Sequence, residues 1–256
     1  MPVPAKLPSV SSILATYIRQ RIRPFLIIGL GIFIFFYSRP VSVFNVRSFA
    51  SFVFLIAFLF VFRLYDDLLQ SRNDKEKPDR NYTEAAARKT LLRFLIAFLG
   101  ILLCIAILIS VYPAFLLFCF ITINHLLYLL LINNKAASGF LPLLKYPFVY
   151  ILLQFSDLAA PVIGAQLVLH AISLFLAFVA FESMEDKTFP VPIKYSYVLQ
   201  ILSFALIFVW KVNGISTLSF SLLLASSMVW TFFRLKAHPY VYLLCFLVFK
   251  IMIDES

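Results

Sequence analysis

Charge is scarce in this chain: 13% of the residues are Asp, Glu, Lys or Arg, against 62% hydrophobic, and the mean hydropathy is +0.97. One soluble core of 256 residues could not hide that much apolar surface, so a soluble globular protein is excluded and the bilayer must be the solvent. Cysteine is scarce too. Cys104, Cys119 and Cys245 each lie inside an apolar run, with no CxxC and no histidine at ligand spacing, which excludes a disulfide framework and a zinc site. The three histidines, His125, His170 and His238, are scattered and read as packed side chains. No fixed-period repeat and no low-complexity linker divides the sequence, so residues 1–256 are expected to form a single transmembrane domain. The stretch to Arg23 carries Lys6, Arg19, Arg21 and Arg23 but no small-residue cleavage site, and the first helix is expected to be retained.

What is abundant is apolar sequence in runs long enough to cross a hydrocarbon layer of about 30 Å. Nine are marked, over residues 24–38, 48–65, 91–111, 113–132, 146–159, 162–181, 195–212, 215–233 and 239–253. An all-α polytopic membrane protein follows, with about nine transmembrane helices around a central cavity. Breaks are expected at Tyr112-Pro113, near Asp157 to Pro161, at Asn213-Gly214 and at His238-Pro239. Asp157 is read as a cap for the helix after it. With a cytoplasmic N-terminus, all of the 22 Lys and Arg except Arg39, Arg47, Lys211 and Lys250 fall on the inner side, as the positive-inside rule requires. The formal charge of +10 is thereby explained by insertion and anionic headgroups, with no nucleic-acid partner.

The acids are concentrated in two islands. Asp66, Asp67, Asp74, Glu76, Asp79 and Glu84 form one, Glu182, Glu185 and Asp186 the other, and four helices between them put both on the cytoplasmic side. On a helix Arg63, Asp67 and Asp74 share a face, and Glu182, Glu185 and Asp186 stand at i, i+3 and i+4. Like charges that close repel unless a cation joins them, and hard oxygen ligands of this kind suit Mg²⁺ bridged to a phosphate. Solvated loops with local salt bridges to Arg72, Lys75, Lys77 and Lys187 are the plainer alternative. Asn124, His125 and Gln154 are polar residues inside apolar helices, placed to line a cavity or to tie helices together by hydrogen bonds.

Asp66-Asp67-x-x-Gln70-x-x-x-Asp74 resembles the first acidic motif of the UbiA-type intramembrane prenyltransferases, and Glu182-x-x-x-Asp186 is similar to their second. Gln70 and Glu182 stand where that family has Asp. The resemblance implies that Asp66, Asp67 and Asp74 hold one Mg²⁺ and that Glu182 and Asp186 hold another, with the diphosphate of an isoprenyl donor between them. Asp67, Asp74 and Asp186 would be the catalytic carboxylates, and Arg63, Arg72, Arg80, Lys145 and Lys187 the cations steadying the anion. Lys145-Tyr146-Pro147 looks like the lysine segment at the same place in relatives. Asn124 is a substrate-binding candidate. The activity implied is Mg²⁺-dependent transfer of an isoprenyl group to a lipophilic, aromatic acceptor within the membrane, in a bacterial inner membrane. Two other readings remain: a terpene cyclase acting on the diphosphate alone, and a non-catalytic transporter or scaffold.

Overall fold

Membrane helices form where apolar runs are uninterrupted, because in lipid the backbone must satisfy its hydrogen bonds internally. In a computed structural model of the chain, residues 9–22, 24–38, 46–70, 85–131, 133–157, 164–186, 189–211 and 238–255 are described, and all regular structure among them is helical. In order, these are α1 (Val10–Arg21), α2 (Pro24–Ser38), α3 (Val46–Gln70), α4 (Ala85–Ile109), α5 (Val111–Leu131) and α6 (Lys135–Phe140). A 3-10 turn, Leu141–Leu144, leads into α7 (Lys145–Asp157) and then α8 (Ala165–Glu185). A second turn, Ile193–Tyr195, leads into α9 (Ser196–Lys211), and α10 is Pro239–Glu255.

The breaks fall where proline chemistry places them. Pro24 and Pro239 open α2 and α10 at the first helical position, and Pro113 sits in the first turn of α5, where a missing N–H costs nothing. The opening of α8 departs from expectation: its N-cap position is held by Gly164 and not by Asp157, the last residue of α7. Asn213-Gly214 and the run 215–233 lie outside the described residues. By length and composition five helices among the described residues can cross a membrane, or six if α1 and α2, bent by 65° to one another, count as one broken span. The nine crossings expected from the apolar runs are therefore not established among the described residues. Two helices had no counterpart in those runs: α1, mixed in polarity, and the short α6.

Around the bundle, α3, α2, α10, α9, α8, α7, α5 and α4 each pack on the next. The ends of that sequence, α4 and α3, also touch, so it closes. Helices α4 and α5 present their large side chains outward, with Leu108 85% and Leu130 77% exposed, as lipid-facing residues should be. The interior is built of rings: Tyr146 stacks on Phe178 with centroids 3.6 Å apart, Phe33 meets Phe178 edge-on at 5.7 Å, and Tyr37 stacks on Phe246 at 5.5 Å.

Hydrogen bonds tie the helices where polar side chains enter this interior. The Tyr37 hydroxyl donates to the His170 carbonyl at 2.8 Å, Ser173 Oγ donates to the Ser203 carbonyl at 2.5 Å, and Gln154 Nε2 donates to the Ser38 carbonyl. Gln154 and His170 thus join helices. Lys250 is buried, with Nζ 5.4 Å from the Tyr37 ring centroid. Gly139 carries a packing constraint. A Cβ on Gly139 in α6 would lie 2.7 Å from Pro190 Cδ, a ring atom that cannot swing aside. Gly139→Ala is expected to lower stability by about 1–3 kcal/mol through overpacking, read as an earlier thermal unfolding transition in detergent.

Candidate active site

Successive residues on a helix point about 100° apart, at 3.6 residues per turn. Asp66 and Asp67, adjacent in the last turns of α3, accordingly face different neighbours. Asp66 is buried and accepts from Lys145 Nζ at 2.6 Å and from the Tyr128 hydroxyl at 2.8 Å. Asp67 is also buried and accepts from Arg21 through two nitrogens, Nη2 at 2.5 Å and Nε at 3.1 Å, and from the Tyr17 hydroxyl at 2.9 Å. Arg63, one turn back on the same face, brings Nε to 3.6 Å of Asp67 Oδ2. The i, i+4 spacing of Arg63 and Asp67 is thus realised as an ion pair.

Both pairs are held by chemistry that a bilayer makes stringent. An isolated buried charge is too costly to keep, so each aspartate is tolerable only with a cation and a hydrogen-bond donor on it. Arg21, Arg63 and Lys145 are the cations set against the two aspartates, and the Arg63 side chain is 43% exposed.

Helix α8 brings the second island to the same place. Glu182 is half-buried in its last turn and lies in electrostatic range of Lys145 and Arg63. Glu185 and Asp186 are exposed. Asp186 leaves the helix as its C-cap residue, its N–H donating to the Glu182 carbonyl at 2.8 Å, so only Glu182 and Glu185 keep the helical spacing. The ends of α3 and α8 therefore meet around Lys145, the first residue of α7. Lys145 also lies 5.4 Å from the centroid of the Tyr146 ring, so the cation cluster abuts the aromatic interior.

Of the other expected site residues, Arg72, Asp74, Arg80 and Lys187 lie outside the described residues. Asn124 is buried on α5, one turn from Tyr128, and its Oδ1 has no hydrogen-bond partner. His125 Nδ1 is within 3.1 Å of the Tyr65 hydroxyl. Arg21, Tyr17 and Tyr128 were not singled out as site residues from the sequence. Tyr128 had a usable signal, because it stands at i+4 from Asn124 on an apolar helix; Arg21 and Tyr17 had none, since α1 meets Asp67 only in three dimensions. Tyr17→Phe is expected to lose about 1 kcal/mol of stability with the bond to Asp67, measurable as a small downward shift in melting temperature.

The donor set can be tested against magnesium. Mg²⁺ asks for carboxylate oxygens free to enter an octahedral shell. Asp66 spends its oxygens on Lys145 and Tyr128, and Asp67 spends its own on Arg21 and Tyr17. Among the described residues no group of three or more His, Cys, Asp or Glu side chains is placed to hold a metal ion. Asp66 and Asp67 as arranged do not fit the ion.

No protein-family model and no curated protein matches this sequence. The fold is similar to a solved structure of digeranylgeranylglyceryl phosphate synthase in membranes, with a TM-score of 0.55 and 17% identity over 94% of this chain and 99% of that one. The likeness is one of fold: the all-helical membrane fold expected from the sequence is the fold found.

Proposed function

We propose that this chain transfers an isoprenyl group from its diphosphate to a lipophilic acceptor within the membrane. The observation that carries the reading is the cluster of Arg21, Arg63 and Lys145 at the meeting of α3, α7 and α8, with Arg63 partly exposed and Lys145 adjoining the Tyr146–Phe178 stack. The fold likeness to a synthase of a prenylated lipid supports it.

The chemistry asked of the site is the breaking of the bond between an allylic carbon and the diphosphate oxygen. Negative charge grows on the leaving oxygen, and fixed cations in a low-dielectric site stabilise it most where it develops. Arg63 and Lys145 are placed for this, with Asp66 and Asp67 as the counter-ions that hold the lysine and arginines in position. The carbon becomes cation-like as the bond breaks, and an aromatic, water-poor interior of the kind that begins beside Lys145 is the environment that stabilises such a cation. The acceptor then forms the new bond to that carbon and gives up a proton. Magnesium belongs to this proposal only as an expectation about Asp74, Glu182 and Asp186; the transfer itself is assigned to the chain's own cations.

The test is a transfer assay on the full chain in native membranes with radiolabelled geranylgeranyl diphosphate. Pyrophosphate release with label in a prenylated lipid is expected, together with loss of both in Lys145→Met. A labelled cyclic hydrocarbon formed without acceptor would turn the assignment to a cyclase. Unconsumed diphosphate in membranes that contain the folded chain would remove the enzymatic reading altogether.

A further inference from the structure

Among the buried side-chain nitrogen and oxygen atoms of the described residues, Oδ1 of Asn124 alone has no hydrogen-bond partner. The residue is 2% exposed. An orphaned buried acceptor is costly, and a bundle interior in lipid has little water to relieve it. Such a group in a native structure calls for a reason.

Its position supplies one. Leu117, Asn124 and Tyr128 are all buried on α5, at spacings of seven and four that return to one face. One turn further along, about 6 Å in rise, Tyr128 donates to Asp66 in the ionic cluster. One turn back, Phe120 stacks on Phe148 of α7 at 3.9 Å and packs on Phe62 of α3 at 5.3 Å. Asn124 therefore stands at the border between the charged end of the site and its ring-lined interior. A second substrate that is to attack the carbon beside a departing diphosphate must present its polar group at that border. The other polar side chains nearby are engaged: Tyr128 with Asp66, and His125 with Tyr65.

We infer that Asn124 Oδ1 is the binding point for the hydroxyl group of the lipophilic acceptor, which is accordingly a phenol or an alcohol, its O–H donating to the amide oxygen. The inference rests on the isoprenyl-transfer reading for why such a compound binds, but the binding itself is measurable without turnover. A helix-tying role for Asn124 predicts that its removal destabilises the protein. A ligand-binding role predicts the reverse, because an apolar side chain of like size removes an unsatisfied group.

The experiment measures binding of 4-nonylphenol and of 1-dodecanol, each against its methyl ether, to the full chain in detergent, for wild type and Asn124→Leu. Thermal unfolding and binding of geranylgeranyl diphosphate are followed in parallel. At least one hydroxyl compound should bind wild type about tenfold more tightly than its ether, the ratio that one net hydrogen bond supplies. Whichever of the two shows the preference identifies the acceptor as phenolic or aliphatic. In Asn124→Leu the preference should vanish, with the diphosphate affinity kept and the melting temperature unchanged or raised. Equal binding of hydroxyl compounds and ethers to wild type, a preference that survives Asn124→Leu, or a lowered melting temperature in that variant would overturn the inference. Wild type that shows the hydroxyl preference yet ignores geranylgeranyl diphosphate would sink the transfer reading and leave the Asn124 assignment in place.

Discussion

Asp66→Ala should cost the folded protein about 3–5 kcal/mol, the loss typical of a buried ion pair deprived of one partner. The reason is local. Lys145 Nζ, in a side chain 8% exposed, would keep its charge with its nearest counter-ion gone, and Tyr128 would lose the acceptor for its hydroxyl. The measurement is thermal unfolding of purified protein in detergent, with the double variant Asp66→Leu/Lys145→Met as the control. Two well-packed apolar side chains in place of a buried pair are often neutral or stabilising, so the double variant should recover most of the stability that the single change loses. Recovery of stability without recovery of transfer would separate what the pair does for the fold from what Lys145 does for the substrate. Equal damage in the single and double variants would show that Asp66 and Lys145 are not coupled in the way their 2.6 Å contact requires.

Arg63→Gln is expected to lower kcat/KM for the isoprenyl diphosphate about a hundredfold, the scale on which removal of one charge-stabilising donor acts on a transition state. Arg63 is the most exposed of the three cations and sits against Asp67 at 3.6 Å, looser than the Arg21 contact. It can therefore turn to an incoming anion without breaking the cluster, and its replacement should leave the melting temperature nearly unchanged. Steady-state kinetics at several donor concentrations give the check. A fall in kcat with little change in KM would place the lost interaction at the transition state, whereas unaltered kinetics would show that Arg63 does not face the diphosphate.

Much of the helical skeleton was legible because apolar runs of membrane length admit few other structures. The runs 48–65, 91–111 and 113–132 reappear, extended by up to one or two turns, as α3, α4 and α5. The extensions arise because helices continue past the hydrocarbon into polar turns such as Arg63 to Gln70. Helix α1 was not legible. Its stretch mixes Ser, Thr, Arg and Gln with Ile and Leu, so hydropathy alone marks no crossing there, and its importance comes from Arg21 and Tyr17 reaching Asp67 across 46 and 50 residues of sequence. Lys250 shows the same limit. Its place in the sequence gives it only a side of the membrane, and the packing of α10 against α2 is what puts it over Tyr37.

In the site, the acid islands were legible as features and their bonding was not. That Asp66 and Asp67 share a motif follows from the sequence; that they turn about 100° apart, one to α7 and one to α1, follows from helix geometry combined with which helices lie on each side. Lys145 was legible through its place before Tyr146-Pro147, and the ion pair with Asp66 ties it to the first island. Asn124 was visible as a polar residue in an apolar run, yet whether it joined helices or lined a site depended on a partner that only three dimensions could reveal as missing.

The account depends most on the claim that the basic cluster around Lys145 is where the isoprenyl diphosphate is gripped. Calorimetric titration of detergent-solubilised protein with an unreactive geranylgeranyl thiolodiphosphate, comparing wild type with the stable Asp66→Leu/Lys145→Met variant, tests it most directly. Saturable binding by wild type and none by the folded double variant is the predicted result; equal binding by both would contradict it.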